Sequence, residues 1–235
     1  MLCAINKIQK HQLRISRTMT TYKTPAPIVT IGFSEATQNR RTMRALEPKT
    51  TVPDSIVVKL AETALLTVPS AFNNQSTRLT VLFGDDHRKL WSITGDALLA
   101  KIGEESWSTV SKDRIAAYAN AYGTILFWDD VTAAAEMQGF APDMYKDKTE
   151  EWVHQTSGMH QYYLWTGLDA LGLGVNLQHY NPLIDHDVRR TWNVPEHWQL
   201  KAQMVFGVPK EGSVVGEKVQ KLPLEQRLQV FGATM

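Results

Sequence analysis

The stretch GTILFWDD, residues 123–130, decides the architecture. Ile125, Leu126, Phe127 and Trp128 are large and apolar at consecutive positions, so both faces of a strand built from them are apolar. Such a strand needs cover on both sides and belongs in the middle of a sheet. Working outward, RLTVLFG (78–84) reads as a second strand, with Leu79, Val81 and Phe83 on one face and Gly84-Asp85 as its turn. QLKAQMVFGVP (199–209) reads as a third. Between and around them lie helical patterns. Ser34 is placed to cap a helix over residues 35–46, EATQNRRTMRAL, with Glu35 in its first turn and Pro48 and Pro53 closing the element. From Ser55 onward Ile56, Val57, Leu60, Ala61, Ala64, Leu65 and Val68 share one face, and Pro69 ends that helix. Helices are also predicted over 85–103, 131–140 and about 183–192. The longest is predicted within 147–174, where Tyr162, Trp165, Leu168 and Leu171 form a stripe and glycines stop the element. Few strands among many helices make an α+β layer structure.

The chain has 235 residues, 43% hydrophobic and 21% charged, enough to bury the core of one domain. Its formal charge of +1 gives no electrostatic reason to expect nucleic acid as a partner. The charge is unevenly spread. Residues 1–33 hold Lys7, Lys10, Arg14, Arg17 and Lys23 and no acid, leaving 20 basic against 24 acidic residues beyond them. This basic leader suits a mitochondrial transit peptide, and equally a disordered leader or one lying upstream of a second start at Met19. Residues 34–235 read as a single folded domain. No run reaches the roughly 18 apolar residues of a membrane span. Cys3 is the only cysteine, so disulfides within the chain, cysteine-based metal sites and thiol catalysis in the folded body are all excluded. The histidines show no metal-ligand spacing, and no serine sits in a nucleophile elbow.

Three constellations carry potential chemistry. In NRRTMR, Arg40 and Arg44 lie one turn apart if helical, and paired guanidinium groups suit a phosphate dianion; a solvated surface face accounts for them as well. Between the helix ending at Val68 and the strand at Leu79 lie Ser70, Asn73, Asn74, Gln75, Ser76, Thr77 and Arg78. Carboxamides join a donor and an acceptor on one rigid group and suit neutral polar ligands, whereas turn capping accounts for only some of this excess. In DALGLGVNLQHYN, Gly172 and Gly174 let backbone amides approach a flat ligand; a helix C-cap needs only one of them. Lys218 and Lys221 read as ordinary surface lysines.

In their order along the chain, NRRTMRAL, VPSAFNNQSTRLTVLFGDDHRKLW, LGLGVNLQHYN, QMVFGVP and EKVQKLPLEQRLQVF resemble the nitroreductase superfamily of FMN-dependent oxidoreductases. The resemblance runs from about Thr37 to the C-terminus and is strongest to small stress-responsive fungal and bacterial members. It implies a three-layer α+β fold, a central mostly antiparallel sheet surrounded by helices, in an interlocked homodimer. It implies that Arg40, Arg41, Thr42 and Arg44 bind the FMN phosphate and ribityl chain, completed by a basic residue at Lys218 or Lys221. Pro69 and Ser70 then face the flavin across the dimer interface, Ala71 belongs to the same loop along the flavin, Asn73 and Gln75 hold the chain's own flavin, and Gly172, Leu173 and Gly174 lie against the isoalloxazine edge. The implied activity is NAD(P)H-dependent ping-pong reduction of nitroaromatic or quinone-type acceptors in the oxidative stress response, in the cytoplasm or nucleus. A flavin-bound sensor with little turnover is the alternative. Many relatives carry Pro-Trp where this chain has Ser76-Thr77, and a Trp where it has Asn176–Tyr180, positions expected on the substrate side.

Overall fold

The computed structural model describes residues 31–213 and 216–234. The leader expected over residues 1–33 therefore lies almost wholly outside the described residues. The strand at Gly123–Asp130, β3, is buried at every position. It pairs antiparallel with β2, Thr77–Phe83, on one side and with β5, Trp198–Pro209, on the other. Two short strands finish the sheet along β5: β1, Leu46–Glu47, and β4, Gly174–Gln178.

The pleat of β3 creates two cores. Ile125 and Phe127 point to a face shared with Ala202, Met204 and Phe206 of β5, covered by α2, Asp54–Thr67, and α6, Thr149–Ala170. Leu126 and Trp128 point to the other face, which holds Leu90 and Trp91 of α3, Gly84–Ser106, Tyr118 of α4, Lys112–Ala119, and Val188 of α7, Asp185–Trp192. Helix layer, antiparallel sheet and helix layer follow directly from a strand apolar on both faces. The remaining helices are α1, Phe33–Asn39, and α5, Val131–Phe140, which begins where β3 ends.

Four local expectations are corrected. The helix expected over 35–46 begins at Phe33 with Gly32 as N-cap, so Ser34 lies inside the first turn, where its Oγ accepts from Gln38. That helix also stops at Asn39. Arg40 turns extended (φ −47°, ψ 126°), and Met43 N–H donates to Val175 C=O at 2.8 Å beside a parallel bridge between Thr42 and Val175. Pairing with β4 and β5 overrides helix propensity, which is a weak preference next to tertiary contacts. The expected one-turn spacing of Arg40 and Arg44 is thus absent. Gly84-Asp85, expected as a turn, opens α3 directly after β2, with Gly84 at φ +54°. The segment after Gly172, expected only to approach a ligand, is strand β4. No helix among the described residues is long and apolar enough to cross a membrane.

Candidate functional site

The end of α6 organises the arginine segment. Trp165 and Asp169, one turn apart, face the same way. Trp165 Nε1 donates to Arg41 C=O at 3.2 Å, and the guanidinium carbon of Arg40 lies 4.6 Å from the Trp165 ring centre, within cation–π range. Asp169 Oδ1 accepts from Arg41 N–H at 3.4 Å. Arg41 Nη1 turns back on the C-terminal carbonyls of α1, donating to Gln38, Asn39 and Arg40 at 2.8–3.3 Å. Lys218 Nζ reaches the same end and donates to Thr37 and Gln38 carbonyls at 3.0 and 2.9 Å. Cations at a helix C-terminus complement its negative end.

Arg40, Arg41 and Lys218 thus gather near one acid, Asp169. Partial desolvation lowers the Lys218 ammonium pKa, Arg41 and Arg40 lower it further, and Asp169 opposes them. Burial raises the Asp169 carboxyl, against the pull of the Arg41 N–H and the three cations. Arg44 stands apart: its charge, with that of Arg114, acts on the Tyr118 phenol. Thr42 is exposed. Lys221 is exposed and makes no hydrogen bond or ion pair among the described residues.

The polar loop is held in an unusual shape. Phe72, Asn73 and Gln75 adopt φ of 53°, 55° and 49°, the left-handed region disfavoured for residues with a Cβ. Ser70 Oγ accepts from Gln75 N–H at 3.0 Å, and Asn74 Oδ1 accepts from Ser76 N–H at 3.0 Å. Turn capping, which accounts for part of the polar excess, is what Asn74 does here. Asn73 and Gln75 carry exposed carboxamides linked at 3.3 Å. Pro69 is exposed, whereas Ser70 and Ala71 are half-buried. Ser76 and Thr77, expected on the substrate side, are buried inside the chain.

The Gly-Leu-Gly turn has structural reasons of its own. Gly172 has φ +81°, and Leu173 N–H returns to Leu168 C=O, a left-handed helix end. A Cβ on Gly174 would stand 2.6 Å from Leu46 Cδ2 and 2.9 Å from Met43 Cβ, so the second glycine lets β4 approach β1. Leu173 is buried in the core beneath α6.

The sequence reading missed three organising residues. Trp165 was placed only in an apolar stripe; with Asp169 four residues later it forms the α6 face that grips Arg40 and Arg41. Asn176 Nδ2 donates to Met43 C=O at 2.7 Å and fixes the arginine segment from the sheet side.

The model of the nitroreductase family matches residues 37–208. The yeast nitroreductase FRM2 (Saccharomyces cerevisiae) is 30% identical over 182 residues, covering 76% of this chain and 88% of that protein. Nitroreductase CinD from Lactococcus lactis, solved in complex with chloramphenicol, superposes with TM-score 0.76 at 36% identity, covering 85% of this chain and all of that one. A Desulfovibrio desulfuricans structure in complex with FMN shares the fold at TM-score 0.58 and 20% identity, over 90% of this chain and all of that one. By its family match, its relatives and its α+β layers, the chain belongs to the nitroreductase family and is an oxidoreductase of the flavin type.

Proposed function

We propose that the protein is an FMN-dependent NAD(P)H oxidoreductase that reduces nitroaromatic or quinone-type acceptors by a ping-pong cycle. The observation that carries this reading is the gathering of Arg40, Arg41 and Lys218 around one carboxylate, beside a helix end that fixes the Arg40–Arg41 backbone. An excess of fixed N–H donors over acids suits a phosphate ester. Lys218, not Lys221, is the basic residue of this cluster. Thr42 supplies a hydroxyl on the same extended segment, and Arg44, set apart near Tyr118, is free to meet the ring or ribityl end. FMN held at these residues would supply the hydride-transfer chemistry between nicotinamide and acceptor. The chain's own part is positional: Asn73 and Gln75 present carboxamides to the polar ring edge or ribityl hydroxyls, and Gly172 brings backbone close to it.

The working unit is proposed to be a homodimer in which Pro69 and Ser70 reach the partner's flavin, with Ala71 next to them in the same loop. An apolar groove of about 780 Å³ between α1, α2 and α6, lined by Phe33, Leu60, Pro69, Met159, Tyr162 and Ala170, offers a surface for a second copy. Light scattering of the purified protein at twice the chain mass of 26.5 kDa is the expected result. The reading includes a role in oxidative stress defence in the cytoplasm or nucleus. Its mitochondrial alternative turns on residues 1–20, outside the described residues.

The deciding experiment is absorbance before and after anaerobic NADH or NADPH. Bound flavin that bleaches supports the reductase; flavin that neither nucleotide bleaches supports a sensor; a colourless protein that takes up no FMN ends both readings. Arg40→Ala should weaken FMN binding by about 2–4 kcal/mol, as expected for removing one partner of a partly desolvated charge contact.

A further inference from the structure

The loop bearing Asn73 and Gln75 holds three non-glycine residues at positive φ, and such a shape persists only where its surroundings over-determine it. Inside the loop, Ser70 Oγ and the Asn74 carboxamide cap the Gln75 and Ser76 amides, and the Ser70 and Ala71 carbonyls accept from Asn73 and Asn74 N–H at 2.9 and 3.1 Å. The stronger hold comes from outside. The Arg78 guanidinium donates through Nη1 to the Gln75 carbonyl and, at 3.1 Å, to its neighbour Thr77. Through Nη2 it donates to Asp130 Oδ2 at 2.7 Å. The backbone N–H of Asp130 donates to Ser76 C=O at 2.9 Å, so one residue of β3 meets the loop's exit twice.

Asp130 is also the N-cap of α5. Its Oδ1 accepts from Thr132 N–H at 2.9 Å, Thr132 Oγ1 at 2.6 Å and Ala133 N–H at 3.4 Å. The far end of α5 returns to the loop, where Phe140 meets Phe72 edge-on with ring centres 5.9 Å apart. Loop, guanidinium, carboxylate and helix therefore close a ring of contacts. A planar fork bound on both sides transmits position, which a flexible ammonium does not.

We propose that Arg78 and Asp130 are positioning residues for the cofactor loop: the guanidinium fixes the Gln75 carbonyl, so that the carboxamides of Asn73 and Gln75 stay aimed at the ligand, and Asp130 couples that loop to the N-terminus of α5. This rests on the FMN reading for the identity of the ligand. The coupling is reciprocal, so loading the loop protects α5.

The test uses the full chain, Arg78→Lys and Asp130→Asn, each free of FMN and FMN-loaded. Asn still caps a helix, so Asp130→Asn isolates the loss of charge from the loss of the cap. In the cofactor-free protein, Arg78→Lys should speed amide exchange at Gln75 and Ser76 while leaving β3 protected as in wild type. With FMN added, both variants should bind about tenfold more weakly, the scale of outer-shell partners of a site. The visible circular dichroism and the reduction potential of the bound flavin should shift, and the protection that FMN confers on residues 131–140 should shrink. The double variant should be no weaker than the worse single one, as members of one network are non-additive. Wild-type affinity, spectrum and potential in both variants would overturn the proposal. If wild type takes up no FMN, the FMN reading fails, and exchange at Gln75 and Ser76 decides this one: unchanged exchange in Arg78→Lys sinks it.

Discussion

Asp129 and Asp130 are consecutive carboxylates at the end of β3, and the pleat sends them to opposite faces of the sheet. Both are buried, at 2% and 4% exposure, yet their chemistry diverges. Burial alone would raise the Asp130 carboxyl, but the Thr132 hydroxyl and N–H, Arg78 and the Ala133 N–H outweigh it and hold its pKa below the usual range. Asp129, under α6, has no hydrogen-bond partner for either oxygen among the described residues. Its nearest basic groups, His154 Nε2 and Lys201 Nζ, stand 3.8 and 3.9 Å away. Burial pushes its pKa up to about 6, against Lys201, His154 and the nearby Ser157 hydroxyl. Surface exposure does not separate the two groups; Asp129 lies deeper, and it lacks the donors that Asp130 has.

The largest effect should come from removing the satisfied member. Asp130→Ala strips the cap from α5 and leaves Arg78 without its anion, and should cost about 3 kcal/mol of stability, combining a lost cap with a broken, largely buried pair. Urea unfolding at pH 7 measures it. A loss under about 1 kcal/mol would reduce the pair to a surface salt bridge.

The unsatisfied member should act in the opposite direction. A carboxyl whose folded pKa of about 6 exceeds its unfolded 3.8 binds more protons in the native state between those values, so its contribution to stability falls as pH rises from about 4 to 6. Above pH 6 the buried charge is a standing penalty of roughly 2–3 kcal/mol. Asp129→Asn removes it, so the variant should gain on wild type by about 2 kcal/mol between pH 4 and pH 7, with little difference below pH 4. His87 supplies an internal contrast. Burial lowers its pKa to about 4, against the Ala119 and Tyr118 carbonyls, so its contribution rises with pH between about 4 and 6.5. The two slopes oppose each other in wild type, and Asp129→Asn should uncover the rising one. A difference between variant and wild type that stays constant with pH would show that Asp129 does not titrate in this window.

Legibility in the sequence follows the same division. Apolar runs read well: GTILFWDD is central, VTAAAEMQGF is a helix over the expected residues, and the third strand differs only by starting at Trp198, because burial patterns are local and repeated. NRRTMRAL misled because its helical spacing is real but is overruled by β4, a strand hidden behind glycines whose need, the close packing of Gly174 on Leu46, exists only in three dimensions. The polar excess of the loop was visible as chemistry. Which of its residues point outward, Asn73 and Gln75, and which serve the chain, Asn74 and Arg78, depends on Asp130, 52 residues further on from Arg78. Asp130 itself left a signal, an acid immediately ahead of a helical run, which is an N-cap pattern.

The smallest perturbation sharpens the contrast most finely. Thr132→Val keeps the shape of the side chain and the backbone donor but deletes the hydroxyl that meets Asp130 Oδ1 at 2.6 Å. At pH 7 the loss should be about 1.5 kcal/mol, the low end of the range for one hydrogen bond to a charged acceptor. A depressed carboxyl contributes stability that is present above its unfolded pKa and lost as pH falls through its folded pKa. The deficit of Thr132→Val should therefore be full near neutrality and shrink below about pH 4. Raising the Asp130 pKa in this way moves it one step toward its neighbour, donor by donor, with burial unchanged. If the deficit persists undiminished at low pH, the hydroxyl supports helix packing and not the charge, and the contrast between the two carboxylates rests on Arg78 and the Thr132 and Ala133 N–H groups.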